Sequence, residues 1–591
     1  MKKNKYIGVI LAATMLTATS CSDFSDYNDT PADANPAGNQ TLWQNISANG
    51  DLTDFASLVK KAGFDVELDN SKSFTVWAPK NGTFNVADYA SLSKEDLLQQ
   101  FVKNHIAEYG HLASGAVDTR IHTLNEKSYT FEGNGGQYTF DGITISKANQ
   151  PGNNGVMHIM DGAAQFKYNL YEYLKVAPDI DSLRNHFMRY ELNYLDENAS
   201  VKGPMVNGMQ TYIDSVIVTN NTLVNQLGAR IANEDSSYTF IMPNNDAFQK
   251  MYDKVKPYYN YITTTKMQDV ENFTKAADSQ TKTVTVDAAY MNDSLVRRII
   301  VRNLLYSNND AYNQWLVGEG ESVDTIRSTT RGKFSNPNAL MEDYLVATPV
   351  SMSNGFARLV DSLAFYSWET YCPEIELSPR YNLKALFPNS AKAENYTIYH
   401  MDGSPMTDIL GPETTETEYR FKRILPGGDR AKPDFYLSLP NVKSAKYNLY
   451  VVFIPTARYN GLDGRPNWLN FQINYCNEKG TLVTRNLSKA LADKILAGEE
   501  VTNADYNKVT SVGTGTAFTN DPEKTDTVFI GQMDFPIAYD GLGDEYYPNL
   551  RVTSPISVFN NTQLATYSRE VCIAAVLMRP VELEEFEEKN K

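Results

Sequence analysis

Of the 591 residues only 4 are cysteine and 6 are histidine, which leaves too few of either for a disulfide framework or for several zinc sites. The sequence has no His-Glu-x-x-His, Gly-x-Ser-x-Gly, phosphate loop or Cys-x-x-Cys, and none of the histidines stands in a triad context. Gly513-Thr514-Gly515 lacks the third glycine and the strand-to-helix setting of a nucleotide loop. No catalytic residue, metal ligand set or cofactor is therefore assigned, although a glycosidase carboxylate pair is not excluded by spacing alone. Basic residues are also short, 54 Lys and Arg against 71 Asp and Glu, a net charge of −17. That balance argues against nucleic acid, whose phosphates need stripes of Lys and Arg. The apolar run at the start, Tyr6 to about Leu16, is too short to cross a bilayer. No Arg-Gly-Asp tripeptide is present.

What the chain has is a repeat. Ser73-Phe74-Thr75-Val76-Trp77-Ala78-Pro79-Lys80-Asn81-Gly82-Thr83-Phe84 returns as Ser237-Tyr238-Thr239-Phe240-Ile241-Met242-Pro243-Asn244-Asn245-Asp246-Ala247-Phe248. In each copy a β-branched and aromatic run reads as a buried strand that ends at its proline, Pro79 or Pro243. The asparagine two residues later, Asn81 or Asn245, is expected to cap a short helix, with Phe84 or Phe248 returning to the core. The distance from Pro79 to Gly155 is 76 residues and from Pro243 to Gly355 is 112, so the second copy carries 36 more. Nearly all of the excess falls within about 249–292, which includes Tyr252, Tyr258, Tyr259 and Tyr261. One long insertion in a repeated unit reads as a surface excursion, and as a place where binding is put.

These stretches resemble the fasciclin (FAS1) family. Thr75 to Phe84 and Thr239 to Phe248 are similar to its first signature, and Asn154-Gly155-Val156-Met157-His158-Ile159-Met160-Asp161 to its second. The second copy offers Asn354-Gly355-Phe356-Ala357-Arg358-Leu359-Val360-Asp361, with Arg358 in the histidine's place. The intervening helix with its histidine is similar to Leu97 to Ile106, including His105; copy two has Leu304 there. The resemblance covers roughly 41–372 and implies two α+β modules, each a strand wedge with packed helices, and a role in adhesion or surface contact. His105 and His158 read as packed, hydrogen-bonded positions rather than metal ligands, since no further ligands appear at usable spacing.

The chain divides into 1–20, a signal segment; 21–40, a flexible tether; 41–168 and 169–373, the two modules; and 374–591, an antiparallel β-sandwich, jelly-roll-like. Lys2, Lys3 and Lys5, the apolar run and Ala18-Thr19-Ser20-Cys21 resemble a lipobox, which implies that Cys21 is lipidated; the alternative is an ordinary secretory signal. The acidic stretch after Cys21 looks like the surface-export signal of Bacteroidetes lipoproteins and implies an outer-membrane, surface-exposed location. In the second module, residues 193–208 read as a further excursion. The clearest strands of the last third are 434–439, 447–454, 468–475, 526–530 and 571–577, and one helix is expected over 487–496. The tail, 582–591, reads as a frayed acidic end.

Two loops of the last third combine rings and carboxylates. Tyr459 and Trp468 flank one; Asp540, Asp544, Tyr546 and Tyr547 belong to the other. Such loops suit sugar stacking or a calcium site, and equally suit plain β-turns. The abundance of tyrosine, 37 residues, is open to the same two readings, sugar or protein contact against a β-rich core. Of the remaining thiols, Cys476 and Cys572 either pair or stay buried and free. The expected function is a lipid-anchored, non-enzymatic surface protein that binds a glycan or protein partner. The alternative is an accessory glycan-binding lipoprotein of a TonB-dependent uptake system.

Overall fold

The computed structural model describes residues 39–206, 208–263, 287–317, 323–387, 390–508, 517–542 and 546–591. Cys21, the signal segment and nearly all of the tether lie outside the described residues, as do Asp544 and Gly513-Thr514-Gly515. The chain forms two compact units: the first runs to Tyr173 and includes 231–236 and 351–354, and the second holds 174–230, 237–350 and 355–591.

In the first unit, Phe74–Pro79 lies in a seven-stranded sheet, parallel to Gly155–Met160 and antiparallel to Ile106–Glu108. All six residues of Phe74–Pro79 are buried, as a strand apolar on both faces requires. One face packs on Thr53–Ala62, whose Phe55, Leu58 and Val59 are buried at helical spacing and whose end is turned by Gly63 at φ +76°. On the other face Trp77 is fully buried and stacks on Phe140 at 4.3 Å. Burying side chains of this size contributes on the order of 2–3 kcal/mol each.

Asn154 and Gly155 fix where this sheet meets the start of the module. Asn154 Oδ1 accepts from the Leu42 N–H at 2.8 Å, while Nδ2 donates to the carbonyls of Leu68 (2.9 Å) and Asn70 (2.7 Å). Gly155 sits at φ +144°, and a Cβ there would stand 1.9 Å from the Phe74 carbonyl oxygen, so only glycine fits. Asn354, also in the first unit, repeats the hub: its Oδ1 accepts from Leu170 N–H at 2.9 Å and its Nδ2 donates to Ile231 O (2.8 Å) and Asn233 O (3.1 Å).

The second unit repeats the strand geometry. Tyr238–Pro243 is parallel to Gly355–Val360 and antiparallel to Leu305–Ser307, with Tyr238 opposite Gly355 as Phe74 is opposite Gly155. A Cβ on Gly355 would meet the Tyr238 carbonyl oxygen at 1.9 Å. Asn81 and Asn245 do not cap the helices that follow them. Asn81 Oδ1 accepts instead from Asp54 N–H, at the start of the earlier helix, and Asn245 Oδ1 from Ser182 N–H in the equivalent place. The following helices are capped by Asn85 and by Asn244. The reason is reach, because a residue inside the turn faces back toward the helix that packs on the strand. Phe248 is buried as expected, but Phe84 is only half-buried, against Phe101 and Tyr89.

The last third forms two six-stranded sheets, and every pairing in them is antiparallel. Asp434–Ser438, Trp468–Cys476 and Asn549–Thr553 belong to one sheet, and Lys446–Phe453, Asp526–Asp534 and Val571–Pro580 to the other, while Ser390–Tyr399 with Glu418–Pro426 and Trp468–Cys476 with Leu482–Leu487 are hairpins within one sheet each. The final residues are not frayed. Val581–Lys589 is a helix in which Glu582 accepts from the Tyr258 and Ser367 hydroxyls, Glu584 accepts from Tyr450 at 2.8 Å and from Asn448, and Phe586 packs on Trp368 and Tyr366. Five glutamates signal solvent only when nothing nearby donates to them, and here hydroxyls, Asn448 and Arg579 do.

Candidate functional site

The near end of the inserted stretch is a seam rather than a free excursion. The helix Asn245–Val255 runs directly into Lys256–Tyr259, and Tyr259 and Tyr261 are buried. Tyr261 Oη donates to the Asp540 carbonyl at 2.8 Å, Asn260 Nδ2 to Pro536 O at 2.8 Å, and Ser444 Oγ to Pro257 O at 2.6 Å. Lys443, itself buried, lies 4.9 Å over the Tyr259 ring and pairs with the Asp540 carboxylate. Tyrosine suits this place because the ring fills the joint and the hydroxyl finds a carbonyl. The insertion's aromatic residues therefore fasten the second repeat to the C-terminal sheets.

Of the six residues expected to meet a ligand, Asp544 lies outside the described residues and the other five are not brought together. In the sheet that holds Lys446–Phe453 and Asp526–Asp534, Phe453 is opposite Asp526 and Lys446 is opposite Asp534. The loop after Phe453, which carries Tyr459, therefore leaves one end of the strand pair, and the loop after Asp534, which carries Asp540, leaves the other. In the other sheet Asn470 faces Thr553 and Asn474 faces Asn549, which sets Trp468 and Tyr546 at opposite ends in the same way. Strands of eight residues at about 3.4 Å each separate the ends by roughly 25 Å. Sequence shows that two loops share a composition but not that antiparallel pairing sends them apart.

Trp468 and Asp540 also have other partners. Trp468 is 9% exposed and its ring face is stacked on Tyr567 at 5.1 Å and 20°, so the face that a sugar would need is covered. Asp540 is held by Lys443 in the seam. Tyr459 is half-buried, and its hydroxyl is buried without a hydrogen-bond partner; burial, with the Asp408 carboxylate adding to it, pushes the phenol up to about 12. Tyr546 and Tyr547 are half-buried beside the strand start at Asn549.

His105 and His158 are packed as the resemblance implied. His105 Nδ1 donates to Phe101 O at 2.7 Å and Nε2 accepts from Ala164 N–H at 2.9 Å. His158 Nε2 donates to His111 O at 2.8 Å and Nδ1 accepts from Asn149 N–H at 3.3 Å. A neutral imidazole has one donor and one acceptor, and both rings have used both, which leaves no lone pair for a metal. Burial depresses each pKa to about 4. Among the described residues no group of three or more His, Cys, Asp or Glu is placed to hold a metal ion. The three thiols Cys372, Cys476 and Cys572 are buried and unpaired, and burial raises Cys372 to about 12.

Two polar clusters had no legible signal in the sequence. Lys127 is 2% exposed and pairs with Glu172 at 2.6 Å and Glu234 at 2.7 Å, all within the first unit. Its partners come from residues 45 and 107 positions away, so spacing along the chain gives no sign of them. In the exposed turn after Tyr399, Ser404 lies 2.9 Å from His400 Nδ1 and Asp408 lies 3.0 Å from Nε2. Ser404 Oγ donates to Asp402 at 2.8 Å, which takes the hydrogen that a nucleophile would hand to the imidazole, so this is a turn network. A shallow polar groove of about 690 Å³ opens on the strands of the first unit, lined by Asp118, Glu132, Gln137, Tyr138 and Thr144 among others.

The seven-stranded wedge, the buried helix and the Asn154-Gly155 hub together describe one known kind of module. Residues 50–164 match the Fasciclin domain. The fasciclin match ends at 164, and the second repeat, which shares the strand register and the Asn-Gly hub, lies outside it. No curated protein matches the chain. Among solved structures, a FAS1 domain pair from the insect cell adhesion molecule fasciclin I is 13% identical over 54% of this chain and 99% of its own, with a TM-score of 0.20. A Paenibacillus xanthan lyase is 9% identical over 35% of this chain and 13% of its own, with a TM-score of 0.18. At those scores neither likeness bears on function.

Proposed function

We infer that the chain is a lipid-anchored binding or adhesion protein of the outer-membrane surface that acts without catalysis, with a protein or glycan on another surface as its partner. The fasciclin domain at residues 50–164 carries this reading, because fasciclin domains are associated with adhesion and binding. The lipobox-like Ala18-Thr19-Ser20-Cys21 supports the anchor, and among the described residues no helix is long and apolar enough to cross a membrane in its place. The chain's charge of −17 suits a solvated surface and disfavours nucleic acid as a partner. Cys21→Ala is expected to move the protein from the membrane fraction to the soluble fraction in detergent partitioning. Beads coated with the full chain should bind cells or a surface extract, with binding lost when residues 50–164 are unfolded by core substitution. Retention in the membrane fraction would refute the anchor, and bead binding that survives unfolding of residues 50–164 would refute the assignment of adhesion to that domain.

A further inference from the structure

The excursion expected at 193–208 is a two-stranded ribbon in the second unit. Glu191–Leu195 pairs with Ile217–Asn221 at its base, and Val201–Val206 with Met209–Asp214 beyond. Nine of the exposed large apolar side chains of the described residues fall between 192 and 217. Among them Met205 is 67% exposed, Met209 70% and Ile213 76%. These side chains are shared between the two faces of the ribbon, so it carries bare apolar surface on both sides.

We propose that this ribbon joins two copies of the chain, Met209–Ile213 of one copy pairing antiparallel with the same stretch of the other, so that Thr211 lies opposite Thr211 and Met209 opposite Ile213. Three observations select that occupant. The two outer edges differ: Val201–Val206 carries Lys202 and Pro204, the residues that block edge pairing, and Met209–Asp214 carries neither lysine nor proline. An antiparallel strand laid against itself is related by a two-fold axis, so the contact closes at two copies and does not propagate. In a chain of charge −17, which repels its own copies, residues 198–213 hold one charge, that of Lys202. The ribbon is thus a surface on which two like-charged molecules meet at little electrostatic cost, Asp214 standing just beyond the paired stretch, and pairing would convert a marginal two-stranded ribbon into a four-stranded sheet.

Sedimentation velocity of the full chain across a dilution series is expected to show a monomer–dimer equilibrium. Ile213→Lys should raise its dissociation constant at least about tenfold with an unchanged thermal melt. Thr211→Cys supplies a second reading: on mild oxidation it should give a covalent dimer, whereas Lys202→Cys, on the blocked edge, should not, and the buried Cys372, Cys476 and Cys572 do not interfere. A parent chain that stays monomeric up to about 100 µM overturns the proposal, as does a dimer indifferent to Ile213→Lys. Binding of a monomeric chain to phosphatidylcholine vesicles, abolished by the same substitution, would assign the ribbon to lipid and overturn it too.

Discussion

Asn154 and Asn354 make the same three hydrogen bonds, each accepting from the N–H that opens a helix, Leu42 or Leu170, and donating to two carbonyls of the segment before its strand. The side chain of one residue thereby ties three pieces of chain that are far apart in sequence. Replacing either by alanine leaves buried backbone groups without partners, so Asn154→Ala and Asn354→Ala should each cost about 2–3 kcal/mol. Chemical denaturation of the full chain measures this, and a loss under about 0.5 kcal/mol would mean that water replaces the amide.

Acid should destabilise the protein well before its carboxylates are all protonated. The folded pKa values of His105 and His158 lie at about 4, and that of His186 at about 3, below the ordinary 6.5 because burial penalises the imidazolium. The unfolded chain therefore binds protons that the folded chain refuses, so stability is complete above about pH 6.5 and declines as the pH falls toward 4. Each of the first two is expected to contribute up to about 3 kcal/mol to that decline. Melting curves between pH 7 and pH 4 test it: His158→Gln should melt lower at pH 7 yet lose less on acidification, and an equally steep profile would place the sensitivity in other groups.

Phe84 and Phe248 occupy matching places in the repeat but differ in burial. Phe248→Ala should cost about 3–5 kcal/mol, as a fully buried ring does, and Phe84→Ala about half of that. Equal losses would mean that Phe84 is as enclosed as its counterpart.

Glu582 receives two hydroxyls, from Tyr258 and Ser367, across the seam. Glu582→Ala should cost about 1–3 kcal/mol and raise the rate of proteolysis near Tyr258, whereas Glu588→Ala should do neither. Limited digestion followed by mass mapping distinguishes them.

The strands that end at Pro79 and Pro243 were legible because a run apolar on both faces and stopped by proline has few other meanings. The same holds for Trp468–Cys476 and Val571–Pro580, whose cores read as strands directly. Asn81 and Asn245 show where local rules stop, since each has a capping side chain but spends it on a helix earlier in the chain. The ligand-site expectation failed to form one site for a related reason. Tyr459 with Trp468, and Asp540 with Tyr546, look alike as sequence, while strand pairing, which sequence does not display, sends them to opposite ends. Glu582 and Lys127 were illegible because a charge declares its partner only through long-range contact.

The Asn-Gly steps at 154 and 354 also bear on how the protein ages. In a loose chain the backbone nitrogen after asparagine attacks the side-chain carbonyl and expels ammonia, most readily when glycine follows, and water then opens the imide to aspartate or isoaspartate. Here both amides are anchored by three hydrogen bonds, and the glycines are clamped against Phe74 and Tyr238, so the attack geometry is denied while the fold is closed. Each opening of a hub exposes the step to an irreversible change that replaces a donor with a carboxylate facing two carbonyls. Covalent lifetime is thereby tied to the same two residues that hold the repeats shut.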